Sequence, residues 1–188
     1  MEWMGDEHIL RDYELLRQEL MGDNPQLAAR TQFVSPTIAR YQLPFGEESD
    51  RLFAWQRIVH DPHGNDIADF LFLPVNAMDP NRCGNHWSLL FIERRERARP
   101  IVYRYDSIRG HNDQPATQLA ERLGAPLKSP RMAQQRNSYD CGVDGTRALV
   151  SILAQGPRPA HEPLHLDNLV ADRQALQDRL RAHAALGR

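Results

Sequence analysis

Lysine is almost missing from this chain: of 23 basic residues only Lys128 is lysine and the rest are arginine. Such a chain has almost no internal acceptor for isopeptide conjugation of ubiquitin or its relatives, so resistance to that tagging is expected. Cysteine is nearly as scarce. Cys83 and Cys141 are too few for a disulfide scaffold and fit a reducing compartment. No run approaches the roughly 18 apolar residues of a membrane span. Residues 1–7 also lack the charged-then-apolar start of a signal peptide. A soluble chain without a membrane partner is therefore expected. Positive charge is not in excess either, with 23 basic against 25 acidic residues and a net charge of -2. That excludes the broad basic surface on which counterion-driven nucleic-acid binding depends. What is present, 188 residues of which 41% are hydrophobic, suffices for one domain with its own core. The bias toward arginine and alanine points to a GC-rich, bacterial coding sequence.

Apolar periodicity sets the expected elements. Ile9, Leu10, Tyr13, Leu16 and Leu20 share one face of a helix over 6–20, with Asp6 as its N-cap. Asn24-Pro25 and Ser35-Pro36 each start a short helical piece, and a longer helix follows around 50–60. Strand-like runs cover 69–76, 86–93 and 100–106, the last two joined through the charged stretch 93–99, whose arginines read as an exposed turn. Helices are expected over 112–123, closed by Gly124, over 141–155, and over 166–186 with Leu169, Leu176 and Leu180 on one side. Helices, then consecutive strands, then helices read as an α+β fold, a small central sheet flanked by helices.

A lone cysteine is by default a small buried apolar residue. Cys141 differs because the polar loop 134–140 runs into it just where an apolar helical stretch begins, and a helix N-terminus favours thiolate over thiol. His86 opens one strand-like run and Asp106 closes the next, 20 residues later. If those strands are neighbours, the two side chains meet at one end of the sheet. The roles then follow: Cys141 as nucleophile, His86 as base and later acid, and Asp106 fixing the imidazole's tautomer. Gln135 and the Cys141 backbone N–H are the candidate oxyanion donors.

The string Gln134-Gln135-Arg136-Asn137-Ser138-Tyr139-Asp140-Cys141-Gly142-Val143, with His86-Trp87 and Tyr105-Asp106-Ser107 upstream, resembles the ubiquitin-like-protein-specific (SUMO) cysteine proteases. Trp3-Met4-Gly5-Asp6 and Phe70-Leu71-Phe72-Leu73-Pro74-Val75-Asn76 extend the resemblance over residues 3–155, closest to the XopD/NopD type of bacterial type III effector. It implies a papain-like fold and cleavage after the diglycine terminus of a modifier, most readily SUMO, inside a host cell, with no cofactor. It also implies that Trp3, Asp6 and Trp87 bind the modifier, the two tryptophans lining a tunnel over its tail. Only glycine lets an extended backbone pass between aromatic rings. The expected organisation is a SUMO-protease-like catalytic domain over 1–155 and a linker with an amphipathic helix over 156–188. Trp55 reads as core.

Asp144-Gly145-Thr146-Arg147 stands where this family continues with apolar residues, and Asp and Gly there weaken the helix behind the nucleophile. Two other readings use the same residues: a modifier-binding module that has lost turnover, and an effector acetyltransferase with the same triad. The pairs His60-x-x-His63 and Cys83-x-x-His86 have zinc-like spacing, but using His86 as a ligand would remove the base from Cys141. No metal is expected. His8, His111, His161, His165 and His183 show no partner pattern and read as solvated.

Overall fold

The computed structural model describes residues 5–76, 86–134, 145–170 and 172–186. Its centre is a mixed five-stranded sheet in the order β1 (Thr31–Phe33), β2 (Phe70–Asn76), β3 (Trp87–Glu93), β4 (Ile101–Tyr105), β5 (Leu127–Lys128). The three expected strands form its antiparallel middle, and β1 and β5 add to the edges in parallel. These edges escape a sequence reading because three and two residues are too short for a periodic signal. The α+β expectation holds.

Helices cover both faces, which is why β2 and β3 read as continuous apolar runs rather than alternating ones. On one face, α1 (Asp6–Asp23) and α6 (Gly145–Ala154) cover Phe70, Phe72, Leu89, Phe91, Tyr103 and Tyr105. On the other, α4 (Glu48–Val59) and α5 (Asp113–Arg122) cover Leu71, Leu73, Leu90, Ile92 and Val102. A row of stacked rings crosses four strands, Phe33 on Phe72, Phe72 on Phe91 and Phe91 on Tyr103, with centroids 5.4, 5.0 and 5.9 Å apart. Each pair is also a register pair, so the row fixes the alignment of β1 through β4.

Asp6 does not cap α1. Gly5 is the N-cap in an extended conformation, its N–H donating to His8 Nδ1 at 3.2 Å, and Asp6 lies in the first turn, where a carboxylate suits the helix dipole. The Asn24 side chain caps α2 (Pro25–Ala28), while Ser35-Pro36 leads into a π-helical stretch, Ile38–Gln42, continued by α3 (Leu43–Phe45). Gly124 ends α5 with a φ of 61°, as its position predicts. Of the helix expected over 141–155, residues 141–144 lie outside the described residues; α6 carries the remainder.

The last helix is shorter than its periodicity suggests. α7 (Arg173–Leu186) starts after Asp172, whose carboxylate accepts from Ala175 N at 2.9 Å. Leu164 and Leu166 lie upstream in extended chain and enter the core of the α1 face, where Tyr105 donates to the Leu164 carbonyl at 2.6 Å. Burial of Leu166 in this core, with its bridge to Met132, prevails over the helix expected to begin there. Among the described residues no helix is long and apolar enough to cross a membrane.

Candidate active site

β3 and β4 pair with Leu89 opposite Tyr105, so the residue before β3 and the residue after β4 meet at one end of the sheet. Those residues are His86 and Asp106. His86 Nε2 lies 2.6 Å from Asp106 Oδ1, both side chains only 5% exposed. A carboxylate only accepts, so Nε2 carries the proton and donates it, leaving Nδ1 as the ring atom able to take another. Asp106 is held from behind: Oδ1 also accepts from Ile108 N at 3.0 Å and Oδ2 from Asn112 N at 3.2 Å. The turn after β4 thus wraps its own aspartate and presents one lone-pair direction to the imidazole.

The same turn brings His111 against His86, ring centroids 5.0 Å apart and edge to face. The reading of His111 as solvated is therefore corrected: the chain returns past the imidazole before α5 begins. Gln134 closes the other side. Its amide nitrogen donates to the Asp106 carbonyl at 3.1 Å, and its oxygen accepts from Arg109 N at 3.1 Å. Beside this lies a cleft of about 390 Å³ lined by Arg104, Asp106, Arg109, Arg131, Gln134 and Asp167.

Trp87 is 2% exposed and packs into the core on the α1 face. The Arg40 guanidinium lies 5.9 Å from its ring centroid and 3.7 Å from Asp6 Oδ1, which links the first turn of α1 to β3. Arg40 carries no pattern a sequence reading could single out, since it sits mid-stretch in a segment of mixed polarity. Cys141, Gln135 and Trp3 lie outside the described residues, as do Cys83 and Asp144. Of the expected constellation, the structure brings together His86 with Asp106, and Asp6 with Trp87 through Arg40.

The unusual residues ahead of Ala148 find partners. A Cβ on Gly145 would lie 3.3 Å from Leu166 Cδ1, tighter than most such contacts, so the small residue suits the close packing of α6 on the C-terminal chain. Thr146 meets the Tyr13 hydroxyl at 3.2 Å. Arg147 donates to Asp12 at 2.7 Å and Glu19 at 2.6 Å, and Arg179 of α7 reaches the same Asp12 at 3.3 Å. These carboxylates hold the Arg147 guanidinium above its ordinary pKa against the opposing effect of burial. Thr146 and Arg147, which read as weakening the helix, are thus matched on α1, and Gly145 by the C-terminal chain.

The sequence model of the Ulp1 protease family, C-terminal catalytic domain, matches residues 2–144. Among solved structures, the chain is similar to the Xanthomonas campestris effector protein XopD bound to ubiquitin, at 26% identity and a TM-score of 0.79, covering 96% of this chain and 91% of that one. A second structure of Xanthomonas XopD is 27% identical with a TM-score of 0.73, covering 95% and 99%. A de-sumoylating protease shares the fold at 13% identity and a TM-score of 0.59, over 79% of this chain and 62% of that one. A search of the curated proteins finds no match.

Proposed function

The chain belongs to the Ulp1 protease family, and from that membership we propose that it cleaves after the C-terminal diglycine of a ubiquitin-like modifier. The observation that carries the reading is the buried His86–Asp106 pair at 2.6 Å. Its aspartate is oriented by two backbone donors and its imidazole keeps Nδ1 for a nucleophile. In this reading His86 Nδ1 takes the proton of the Cys141 thiol, and the thiolate attacks the carbonyl carbon of the terminal glycine. Negative charge collects on the former carbonyl oxygen, stabilised by the Gln135 amide and the Cys141 N–H. Collapse breaks the bond to the leaving amine, which takes the proton from His86, and a thioester remains. Water, deprotonated by the same imidazole, then hydrolyses the thioester and restores the thiol. Asp106 supports the imidazolium formed in both halves and stays ionised. Trp3, Asp6 and Trp87 hold the modifier's tail.

SUMO is the proposed modifier, released from lysine conjugates in a eukaryotic host cell reached by a bacterial effector. The likeness to an effector protein supports this destination. The same neighbour holds ubiquitin, so the two modifiers need direct comparison. The test is incubation with SUMO, ubiquitin and NEDD8, each carrying a C-terminal fluorogenic amide, beside Cys141→Ala. Release from SUMO that is lost in the variant is the expected result. Release from ubiquitin alone would overturn the modifier, and silence with all three would overturn the protease.

A further inference from the structure

Asn112 stands immediately before α5, where an asparagine ordinarily spends its side chain capping the helix. Here it makes no such bond. Its side chain turns into the sheet, fully buried, and its amide nitrogen donates toward Ser88 Oγ at 3.0 Å, the His86 carbonyl at 3.2 Å and the Val75 carbonyl at 3.4 Å. Two of these partners are carbonyls that can only accept, so the orientation of the amide is unambiguous. The backbone N–H of the same residue donates to Asp106 Oδ2 at 3.2 Å.

We propose that Asn112 is a positioning residue for the catalytic pair, gripping the base through its carbonyl and the orienting acid through its carboxylate. This rests on the reading of His86 and Asp106 as catalytic. The two residues flank different strands, and β3 and β4 pair only as far as Leu89 and Tyr105. His86 and Asp106 lie just outside that paired stretch. Asn112 bridges the two, tying the residue before β3 to the turn after β4 and, through Val75 and Ser88, to β2. Ser88 completes the node, its hydroxyl donating to the Val75 carbonyl at 3.5 Å while accepting from the amide. His111, the preceding residue, meets the imidazole edge to face, so the same turn limits rotation of the ring.

The test is a double-mutant cycle on kcat and KM, joining Asn112→Ala to Asp106→Ala, with SUMO or ubiquitin carrying the fluorogenic amide. Alanine keeps the backbone N–H and removes the grip on His86. Small misplacements of reacting groups can cost about a hundredfold. The expected result is therefore a kcat lower by roughly ten- to a hundredfold with KM within about twofold, and no further loss when Asn112→Ala is added to Asp106→Ala. Unchanged kcat in Asn112→Ala, or losses that multiply in the double variant, would overturn the proposal, the latter marking a structural role. Full activity in Asp106→Ala, or no turnover of either probe by the parent chain, would instead sink the catalytic reading beneath it. If thermal melting shows Asn112→Ala unfolded, Asn112→Ser, whose hydroxyl can reach one acceptor, carries the same cycle with a smaller expected loss in kcat.

Discussion

The two ends of β3 both bury ionisable groups, and they are built in opposite ways. At the start of the strand, His86 and Asp106 form a nearly dry pair whose remaining contacts to described residues are neutral N–H groups, an amide and a second imidazole. At its end, Glu93, Arg94 and Arg95 form a dense ionic knot. Arg94, only 7% exposed, makes a two-pronged pair with Asp66 at 2.6 and 3.0 Å, donates to the Ala68 carbonyl and lies 5.3 Å from the Trp55 ring. Arg95 pairs with Glu93 and donates to the carbonyls of Arg158 and Pro159, and Glu93 also accepts from His161 N. Tyr103 shares this end. Burial first, then the neighbouring Glu93 carboxylate, pushes its hydroxyl up to about 12, with Arg95 pulling the other way. Guanidinium holds its proton at any working pH, so the knot can brace but cannot relay. Imidazole can give its proton up, and among the described residues no arginine or lysine side chain bonds to the His86–Asp106 pair. The expectation that the 94–99 arginines form an exposed turn is corrected here for Arg94 and Arg95, because Asp66 and Glu93 lie within reach once the strands pair.

Breaking the His86–Asp106 end, proposed as catalytic, gives the largest expected effect. His86→Gln should lower kcat by about a thousandfold through loss of the acid–base group, with urea unfolding little changed. A comparable fall in stability would mean that the pair is scaffold like the other end. The converse variant, Arg94→Met, should cost about 2 kcal/mol in urea unfolding, since it strands a carboxylate and a buried carbonyl, while kcat stays within about twofold. Loss of rate without loss of stability would erase the contrast. Arg95→Met should cost about 1 kcal/mol and open the chain around 158–161 to limited proteolysis, leaving kcat unchanged.

The smallest effect is a pH dependence. Burial would raise the Asp66 pKa, but the hydrogen bond and charge of Arg94, then the charges of Arg97 and His60, outweigh it and leave the carboxyl below its ordinary value. A depressed carboxyl contributes stability that is complete above the unfolded pKa of about 4 and disappears as pH falls through the folded value. The urea midpoint should therefore drop between about pH 5 and 3, and less steeply in Arg94→Met. Equal slopes in the two proteins would show that Asp66 is not the group responsible.

Much of this was legible in the residues themselves. The three middle strands, α1, α4 and α5 follow from apolar spacing, because each buries its own face against the core. His86 and Asp106 were legible as a pair only through the strands that carry them: each stands beside the end of an apolar run, and neighbouring antiparallel runs must bring such ends together. Asn112 and His111 were not legible. An asparagine before a helix reads as a cap, and a histidine in a polar turn reads as solvated; nothing local shows that the turn folds back over the imidazole. Arg40 and Arg147 were hidden for the same reason, their partners Asp6 and Asp12 lying far away in sequence.

The sequence alone determined the family and the α+β layering and offered the candidate residues for cysteine-protease chemistry, because those depend on side-chain type and on spacing along the chain. Tertiary structure decided that one end of β3 carries a buried imidazole–carboxylate pair and the other an ionic knot. It also decided what the asparagine before α5 holds and how the polar start of α6 is satisfied. Each of these depends on pairs of groups brought within about 3 Å from distant segments, and such distances exist only once the sheet has closed.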